Sequence, residues 1–571
     1  MKKYKKPYLA GLMFILGSNV FYAISPRVLK LTIDKIEAGI EPRTLLMYCS
    51  LLVAIAFGHL IFRFFMRTTM ISASRKIEYD IRNDYFSHLL TLPISFYHNY
   101  KTGDLMARAT NDLNAVRNVV GPGIMHSTSN IMMFVFVIAL MAYTSFKLTL
   151  FALIPLPLIT LVSKLTMKHI YATFKKAQEQ YSTITAKVQE NISGVRVVKA
   201  YVQEDRETQI FSTLNDRYLE LNLKLTKIRS VLFASISLFM GIALAVLIWV
   251  GGKLVMTNTI SVGDFVAFTV WLGMLAWPLI SFGWILNMIQ QGAASLTRIA
   301  EILDIPPAIR DNELTDKSIR AISGEIEFRD VSFRFPNTDA DTLRHINLKI
   351  PHGTTLAVVG HTGSGKSTFA NLIPRLFEPT DGHLLIDGRD IISIPLKTLR
   401  KHIGMVPQET FLFSDTIAEN ISFGVDTFNG AELEAAASLS TIAHDLDKFP
   451  DKYETLLGER GITLSGGQKQ RTALSRAIIR KPSILILDDA FSSVDSNTEE
   501  QILHQFRDML TDQTIIIVAH RISTIMHADH IIVLDDGEII EQGTHNELLA
   551  MNGFYARLFE KQRLEADLET L

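Results

Sequence analysis

The stretch TLAVVGHTGSGKST, residues 355–368, decides the fold of the second half of the chain. Its first part is apolar and β-branched, which predicts a buried strand, and a helical pattern follows Thr368. Between strand and helix, Gly360 to Thr368 matches the spacing G-x-x-x-x-G-K-[ST] of a phosphate-binding loop. Glycines let backbone N–H groups surround phosphate oxygens, and the start of the next helix adds positive potential. The stretch therefore predicts an α/β domain that binds a nucleotide.

Each residue of this loop has a predicted part in binding ATP and Mg²⁺. We expect Lys366 to reach the β- and γ-phosphates and the hydroxyl of Ser367 to bind Mg²⁺. The other residues of the loop are predicted to line the phosphates, and they are Gly360, His361, Thr362, Gly363, Ser364, Gly365 and Thr368.

Two later strands end in residues suited to the same chemistry. SILILDD, residues 483–489, has four apolar residues followed by acid, which is typical of a buried parallel strand with a carboxylate at its ligand-binding edge. We expect Asp488 to be the Mg²⁺ carboxylate. TIIIVAH, residues 514–520, ends in the same way, and we expect His520 to contact the γ-phosphate.

The chain around these motifs divides into three predicted segments. In residues 324–571, short β-branched runs alternate with helical patterns, which predicts the α/β domain. Residues 305–323 carry Pro306, Pro307 and mixed charges without an apolar period, which predicts a linker. The chain is 48% hydrophobic, and the excess lies almost entirely within residues 1–304, which predict an all-α membrane domain.

Six apolar runs in this first segment approach the roughly 20 residues that a bilayer crossing needs. One such run alone could be a buried core helix, but six together favour six transmembrane helices. The runs are Leu9 to Leu31, Leu45 to Phe65, Ile124 to Tyr143, Leu148 to Leu165, Val231 to Val250, and Phe265 to Met288.

Charged residues predict the orientation of these helices. The lysines of MKKYKK (residues 1–6) precede the first run, which places the N-terminus in the cytoplasm. Two long charged connections are then cytoplasmic, and an even number of crossings returns the α/β domain to the same side. The tips of these connections, near Phe96 to Arg108 and Ile192 to Glu204, are candidates for docking on that domain. Solvated helical hairpins are the alternative.

Composition excludes several classes of protein. The formal net charge of −1 gives no support for nucleic-acid binding. The single cysteine, Cys49, rules out an intrachain disulfide framework and cysteine-rich zinc or iron–sulfur sites.

The stretch LSGGQKQR, residues 464–471, separates this chain from other ATPases that have a phosphate loop and an acidic strand. It resembles the signature of the ATP-binding-cassette (ABC) family. Other stretches are similar to further motifs of that family: Gln408 to the Q-loop, GERG (Gly458 to Gly461) to the X-loop of exporters, SSVD (Ser492 to Asp495) to the D-loop, His520 to the H-loop and Phe335 to the adenine platform. Six membrane helices before one cassette resemble an exporter half-transporter.

The resemblance implies a dimer in which two cassettes enclose two nucleotides. The signature would complete an ATP site on the second cassette through Ser465, Gly466, Gly467 and Gln468. Gln408 would contact the nucleotide and its Mg²⁺ and take part in catalysis. Closure on ATP would open the export pathway outward, and hydrolysis would reset it.

Asp489 departs from the family pattern, which has glutamate as the base that activates water at this position. Aspartate is one methylene shorter, and misplacing a catalytic group by about 1 Å can cost on the order of 10²-fold in rate. The site built on this chain's phosphate loop is therefore expected to be slow or inactive. The pattern resembles one subunit of heterodimeric exporters, and a homodimer with two slow sites is the alternative.

The membrane half favours a hydrophobic or amphipathic cargo, multidrug or lipid-like. Repeated acidic residues at mid-helix are lacking, so no cation path is indicated. Aromatic residues that could line the pathway are Phe62, Phe134, Phe136, Trp271 and Trp277.

The half-transporter plan places the chain in a bacterial cytoplasmic membrane, in contact with lipid and with a second half-transporter. An importer motor would lack fused membrane helices, and a DNA-organising ATPase would need long coiled-coil insertions. An ATP-gated channel or regulatory receptor with the same architecture remains the alternative from another class.

Overall fold

The computed structural model describes residues 2–39, 41–336, 338–458, 461 and 464–569, except for the side chains of residues 2, 160, 163, 164 and 566–569. Contacts within the chain define two compact units. The first comprises Met1–His88 and Gly103–Asp304, and the second comprises Leu89–Thr102 and Ile305–Leu571. Residues 89–102 thus belong by their contacts to the second unit, and they include the first half of the predicted tip Phe96 to Arg108.

The first unit is built from long helices. Two π-helical segments, Arg108–Asp112 and Val119–Gly123, interrupt the α-helical pattern of the stretch Thr102–Thr144 without breaking it. The α-helices in Met1–Asp304 are α1 (Lys5–Glu37), α2 (Pro42–Leu89), α3 (Ile94–Asn99), α4 (Thr102–Ala107), α5 (Leu113–Asn118), α6 (Ile124–Thr144), α7 (Phe146–Leu153), α8 (Leu156–Ser193), α9 (Val195–Ala200), α10 (Glu204–Met256) and α11 (Val262–Leu303).

Five helical stretches in the described part of the chain are long and apolar enough to cross a membrane. They contain five of the six predicted runs. The remaining run, Leu148 to Leu165, falls on α7 and the start of α8, and Phe146–Ile159 is a shorter apolar stretch. Pro155 separates these two helices, because proline has no N–H to continue the hydrogen-bond ladder. The sixth crossing stays a prediction.

Polar contacts fasten α1 to α11 inside the apolar helical unit. The Lys30 ammonium lies 2.6 Å from the Asp264 carboxylate, and the N–H of Gly263 donates to Asp34 at 3.0 Å. The indole N–H of Trp271 donates to the carbonyl of Ala23 at 3.0 Å. Trp271 is fully buried, so its predicted place on a cargo-binding surface is wrong: the ring packs in the core and its polar atom already has a partner.

The second unit has two β-sheets in its described residues. A six-stranded sheet has the order β10-β9-β3-β8-β7-β6 and is parallel except for β10, and a four-stranded antiparallel sheet has the order β2-β1-β4-β5. The strands are β1 (Ile326–Phe333), β2 (Leu343–Ile350), β3 (Thr355–Gly360), β4 (Asp381–Ile386), β5 (Arg389–Asp390), β6 (Ile403–Val406), β7 (Ile484–Asp488), β8 (Thr514–Val518), β9 (His530–Asp535) and β10 (Glu538–Gly543).

One face of the parallel sheet packs against helices, and the other packs against the antiparallel sheet and two short helices. The strands β7 and β8 are buried along their whole length, as expected for parallel strands covered on both faces. The helices are α12 (Lys366–Leu372), α13 (Leu396–Lys401), α14 (Ile417–Ser422), α15 (Gly430–Leu439), α16 (Ala443–Leu446), α17 (Gly466–Ile478), α18 (Ser496–Met509), α19 (Ile522–Ile525), α20 (His545–Ala550) and α21 (Phe554–Glu569). This agrees with the predicted α/β fold.

The segment predicted as a linker packs on the second unit. Ile319 and Ile322 are buried in its core, and the N–H of Ser323 donates to Asp387 at 2.6 Å. Sequence pattern missed this packing because two isoleucines three residues apart do not make a recognisable period.

Candidate ATP-binding site

The phosphate loop joins β3 to α12 through two glycines in left-handed conformations. Gly363 has φ +87° and Gly365 has φ +99°, values that side chains disfavour. A Cβ on Gly365 would also lie 2.8 Å from the carbonyl oxygen of Thr342. The loop therefore needs glycine at Gly365 for both conformation and space, and its backbone can curl around an anion.

Lys366 is the first residue of α12, and its ammonium is held inside the loop. It is buried and donates to the carbonyl oxygens of Gly360 at 2.9 Å and His361 at 2.7 Å. Burial lowers the pKa of Lys366, and the charges of Asp488 and Asp489 act in the opposite direction. The ammonium has neutral carbonyl partners, so an incoming phosphate would be its natural counterion.

Ser364 has a buried hydroxyl with no hydrogen-bond partner among the described residues. A buried polar group without a partner usually marks the place of a missing ligand or water. Together with the glycines and Lys366, it makes the loop a fitting cradle for the phosphates of a nucleotide.

The predicted Mg²⁺ ligands lie side by side. Asp488 ends β7, and the hydroxyl of Ser367 donates to its carboxylate at 3.1 Å. Burial raises the pKa of Asp488, whereas the hydrogen bond from Ser367 and the charge of Lys366 lower it. Within the described residues no group of three or more His, Cys, Asp or Glu could hold a metal. A hydroxyl and one carboxylate fit Mg²⁺ held jointly with phosphate oxygens, which is how nucleotide sites bind this ion.

The other predicted catalytic residues follow neighbouring strands. Gln408 lies two residues beyond β6, Asp489 directly after β7, and His520 two residues beyond β8. Because β3, β6, β7 and β8 run parallel, their carboxyl ends share one edge of the sheet. Gln408 and His520 are exposed there, within reach of a ligand bound along that edge.

Phe335, the predicted adenine platform, lies two residues after β1. Its ring makes T-shaped contacts with the rings of Phe333 and Phe377. The ring centroids are 4.9 and 5.3 Å apart, respectively, and both interplanar angles are 84°. These contacts fix the ring, which is only half-buried and so can still stack on a base.

The signature motif forms the start of α17. Ser465 is the N-cap and shares a capping box with Gln468, whose N–H donates to the serine hydroxyl at 3.3 Å. A Cβ would lie 3.1 Å from the Ser493 side chain at Gly466 and 2.8 Å from its carbonyl oxygen at Gly467. The two glycines therefore let the helix start approach the D-loop closely.

Among the described residues, no hydrogen bond or ion pair joins Ser465–Gln468 to Gly360–Thr368. Glu459 and Arg460 of the predicted X-loop lie outside the described residues.

Three polar side chains around the D-loop were missed by the sequence analysis. Gln470 donates to the Ser492 hydroxyl at 2.7 Å and accepts from the N–H of Ser493 at 2.8 Å. Arg521 donates to Glu499 at 3.2 Å, and burial raises the pKa of Glu499. In the sequence, only the positions of two of these residues could have indicated a role: Gln470 lies within LSGGQKQR, and Arg521 follows His520.

Comparison with known proteins gives consistent matches along the chain. Residues 8–279 match the family model described as the ABC transporter transmembrane region, and residues 343–492 match the family model described as ABC transporter. A probable multidrug resistance ABC transporter ATP-binding/permease protein of Bacillus subtilis, YheI, is 36% identical over 99% of this chain and 96% of its own length. The multidrug resistance-like ATP-binding protein MdlA of Escherichia coli is 32% identical over 98% and 95%.

A solved structure supports the same comparison. The ATP-bound structure of a bacterial Atm1-family ABC exporter superposes with a TM-score of 0.80 at 26% identity, covering 98% of this chain and 99% of that one.

Proposed function

Because the chain belongs to the ABC transporter family, we propose that it is one half of an exporter that moves amphipathic or hydrophobic solutes across the membrane. It is a multi-pass membrane protein whose cassette hydrolyses ATP to drive transport. Relatives of nearly the same length carry multidrug resistance in their names, which supports this class of cargo. The single observation that carries the proposal is one chain holding both apolar helices and a complete phosphate loop beside Asp488.

In the proposed site, each described residue has a role that its surroundings support. Lys366 would bind the phosphates in place of its carbonyl partners. Ser367 and Asp488 would hold Mg²⁺, which would neutralise part of the phosphate charge when bound. Asp489 would accept the proton of the attacking water, and His520 would contact the γ-phosphate.

We propose further that the chain works as a dimer. The exposed Ser465 and Gly466 start a helix of 13 residues, so its N–H groups and dipole are available to an anion. Since no described bond links them to this chain's own phosphate loop, a nucleotide on a second cassette is the fitting ligand. A heterodimer is favoured because Asp489 is short for a general base; a homodimer with two slow sites is the second candidate.

The proposed membrane domain has six crossings, with α7 and the beginning of α8 forming the fourth. In the second long connection, Val197 and Tyr201 expose 61% and 73% of their surface. Apolar side chains at the tip of a charged helical hairpin suit a docking contact with the partner's cassette.

Reconstitution tests this proposal against its rivals. The full chain, alone and with candidate partner half-transporters, is placed in inside-out vesicles with a fluorescent amphipathic dye. We expect MgATP to drive dye accumulation only with a partner, and Lys366→Met in this chain to reduce it. Ionic current with no dye accumulation would instead identify an ATP-gated channel, and brisk ATP hydrolysis by the chain alone would identify a homodimer.

A further inference from the structure

One side chain of helix α21 makes two hydrogen bonds near the edge of the parallel sheet where ATP is proposed to bind. The amide oxygen of Gln562 accepts from the N–H of Ile522 at 2.8 Å, and its amide nitrogen donates to the carbonyl of His520 at 2.7 Å. Gln562 therefore holds the backbone on both sides of Arg521. These partners lie 40 and 42 residues away in sequence, so only the folded domain brings them together.

This contact replaces a cap that the local sequence lacks. The short helix α19 begins at Ile522, and its N-cap residue, Arg521, makes no side-chain capping bond. The first N–H groups of a helix have no intrahelical partner. Gln562 supplies one from outside, which fixes where α19 starts.

The start of α21 is attached to β10 and lies against the phosphate loop. The N–H groups of Phe554 and Tyr555 donate to the carboxylate of Glu541 on β10. The ring of Phe554 meets that of His361, in the phosphate loop, edge-on at 4.7 Å. Tyr555 is fully buried. The helix is thus anchored at its start as well as at Gln562.

His520 itself has little else to orient it. Its side chain is exposed, and the described contacts give its ring no hydrogen-bond partner. The position of its Cα and the direction of its Cα–Cβ bond are set by the backbone from His520 to Ile522, which Gln562 holds. A displacement of about 1 Å in a group that contacts the reacting atoms can cost on the order of 10²-fold in rate.

We propose that Gln562 is a positioning residue that aims His520 at the γ-phosphate of ATP by fixing the backbone between His520 and Ile522. The inference rests on the proposed role of His520. It predicts that Gln562 affects discrimination between ATP and ADP, because only ATP carries the phosphate that His520 would contact.

Binding measurements test this without relying on turnover. Gln562→Met has a similar length and helix propensity but no amide, and Gln562→Glu keeps the acceptor and loses the donor. Arg563→Leu, an exposed neighbour with no hydrogen bond or ion pair in the described chain, is the matched control. Affinities for ADP and for a non-hydrolysable ATP analogue are measured on the full chain in lipid, with the melting temperature and with hydrogen exchange of residues 520–525.

We expect Gln562→Met to weaken binding of the ATP analogue about 5-fold, to leave ADP binding unchanged, to lower the melting temperature no more than the loss of one helix cap does, and to speed exchange at Ile522. His520→Ala should give the same selective loss, with little further effect in the double variant. Equal weakening of both nucleotides, or a lowered melting temperature alone, would show a merely structural role and overturn the inference.

His520→Ala also separates the two proposals. If it causes the selective loss and Gln562→Met does not, the positioning inference fails while the role of His520 stands. If His520→Ala leaves the affinity for the ATP analogue unchanged, the proposed contact with the γ-phosphate is wrong, and the inference falls with it.

Discussion

Asp489 lies in the left-handed region, with φ +51°, and its N–H donates to the carbonyl of Val518 at 2.9 Å. Among non-glycine residues, aspartate and asparagine adopt this conformation most readily. The short side chain that is unusual for catalysis is therefore well suited to the backbone here. Catalysis favours glutamate at this position, whereas the backbone conformation favours aspartate.

Replacing Asp489 with glutamate should separate these two effects. We expect Asp489→Glu to raise ATP turnover at this chain's own site by about 10²-fold, because the side chain is one methylene longer and brings the carboxylate closer to the attacking water. Because the left-handed backbone conformation suits glutamate less well than aspartate, the variant should be less stable by about 1 kcal/mol at most. Turnover and melting temperature of the partnered complex are the measurements. Asp489→Asn, which suits the backbone but is no base, should give no gain; equal rates for all three proteins would contradict the expectation.

Lys366 gives a second test at the residue scale. Its buried ammonium donates to neutral carbonyls at 2.9 and 2.7 Å, and burial lowers its pKa more than the nearby charges of Asp488 and Asp489 raise it, so the buried charge costs stability. Lys366→Met should therefore leave the melting temperature without nucleotide equal or higher, while it abolishes the increase caused by MgATP. Thermal shift with and without nucleotide measures both. A lower melting temperature without nucleotide would show that the ammonium stabilises the fold.

Local sequence predicted the position of the phosphate loop between a strand and a helix, because its pattern lies within one short stretch of chain. Lys366, Ser367 and Asp488 lie together as the pattern indicated. Gln470 and Gln562 could not be predicted in this way. Their partners lie 22 to 42 residues away, and the local sequence around a glutamine on a helix does not indicate which residue it will hydrogen-bond.

Among the elements, the start of α17 depends on its close approach to the D-loop. A Cβ at Gly467 would lie 2.8 Å from the carbonyl oxygen of Ser493, which is too close for a backbone atom that cannot easily move. Gly467→Ala should displace the D-loop and lower partner-dependent ATP turnover at least 10-fold. Nucleotide binding at this chain's own phosphate loop should change less than 2-fold. Gly430→Ala, at the start of α15 with no atom within 4 Å of the added carbon, is the control.

The packing of α20 against α21 should depend on pH. Nδ1 of His545 lies 2.7 Å from the hydroxyl of Tyr555, and burial, with a smaller effect of His527, lowers the pKa of His545 below its usual 6.5. Burial also raises the pKa of Tyr555 to about 12, so this hydroxyl stays neutral. The folded state thus favours neutral histidine, and its stabilising effect is lost as pH falls below 6.5.

The melting temperature of wild type should accordingly drop more steeply between pH 7.5 and roughly 5.5 than that of His545→Gln, which keeps an acceptor for Tyr555 but cannot titrate. Parallel curves for the two proteins would show that His545 does not control this contact. Since α21 also carries Gln562, the protection factor of Ile522 against hydrogen exchange, which corrects for the intrinsic pH dependence of exchange, should fall as the pH is lowered over this range.

Two helical elements extend well beyond their apolar runs, as the helical pattern of the neighbouring charged stretches predicts. α2 continues to Leu89, past the run that ends at Phe65, and α10 begins at Glu204, before the run that starts at Val231. Trp271 shows where the sequence pattern fails. An aromatic residue in an apolar run can face lipid, cargo or core, and only tertiary packing decides between them.

At the scale of the whole molecule, helix length matters most for function. α10 has 53 residues, which at 1.5 Å per residue gives about 80 Å, against about 30 Å for the hydrocarbon core of a bilayer. More than half of this helix must therefore lie outside the membrane. A continuous helix is stiff enough to transmit the motion of a cassette to the membrane, as the export cycle requires.

The topology of the membrane domain can be tested with single cysteines, because Cys49 is the only one in the chain. In a Cys49→Ser background, the position of Lys147→Cys is at the start of α7, and that of Tyr201→Cys is exposed directly after α9. If α7 and the start of α8 form one crossing, the two positions lie on opposite sides of the membrane. An impermeant maleimide should then label residue 147 in intact cells and residue 201 only after permeabilisation. Labelling of both from outside would mean that this stretch does not cross, and that Pro155 marks a turn at the membrane surface instead of a break within a span.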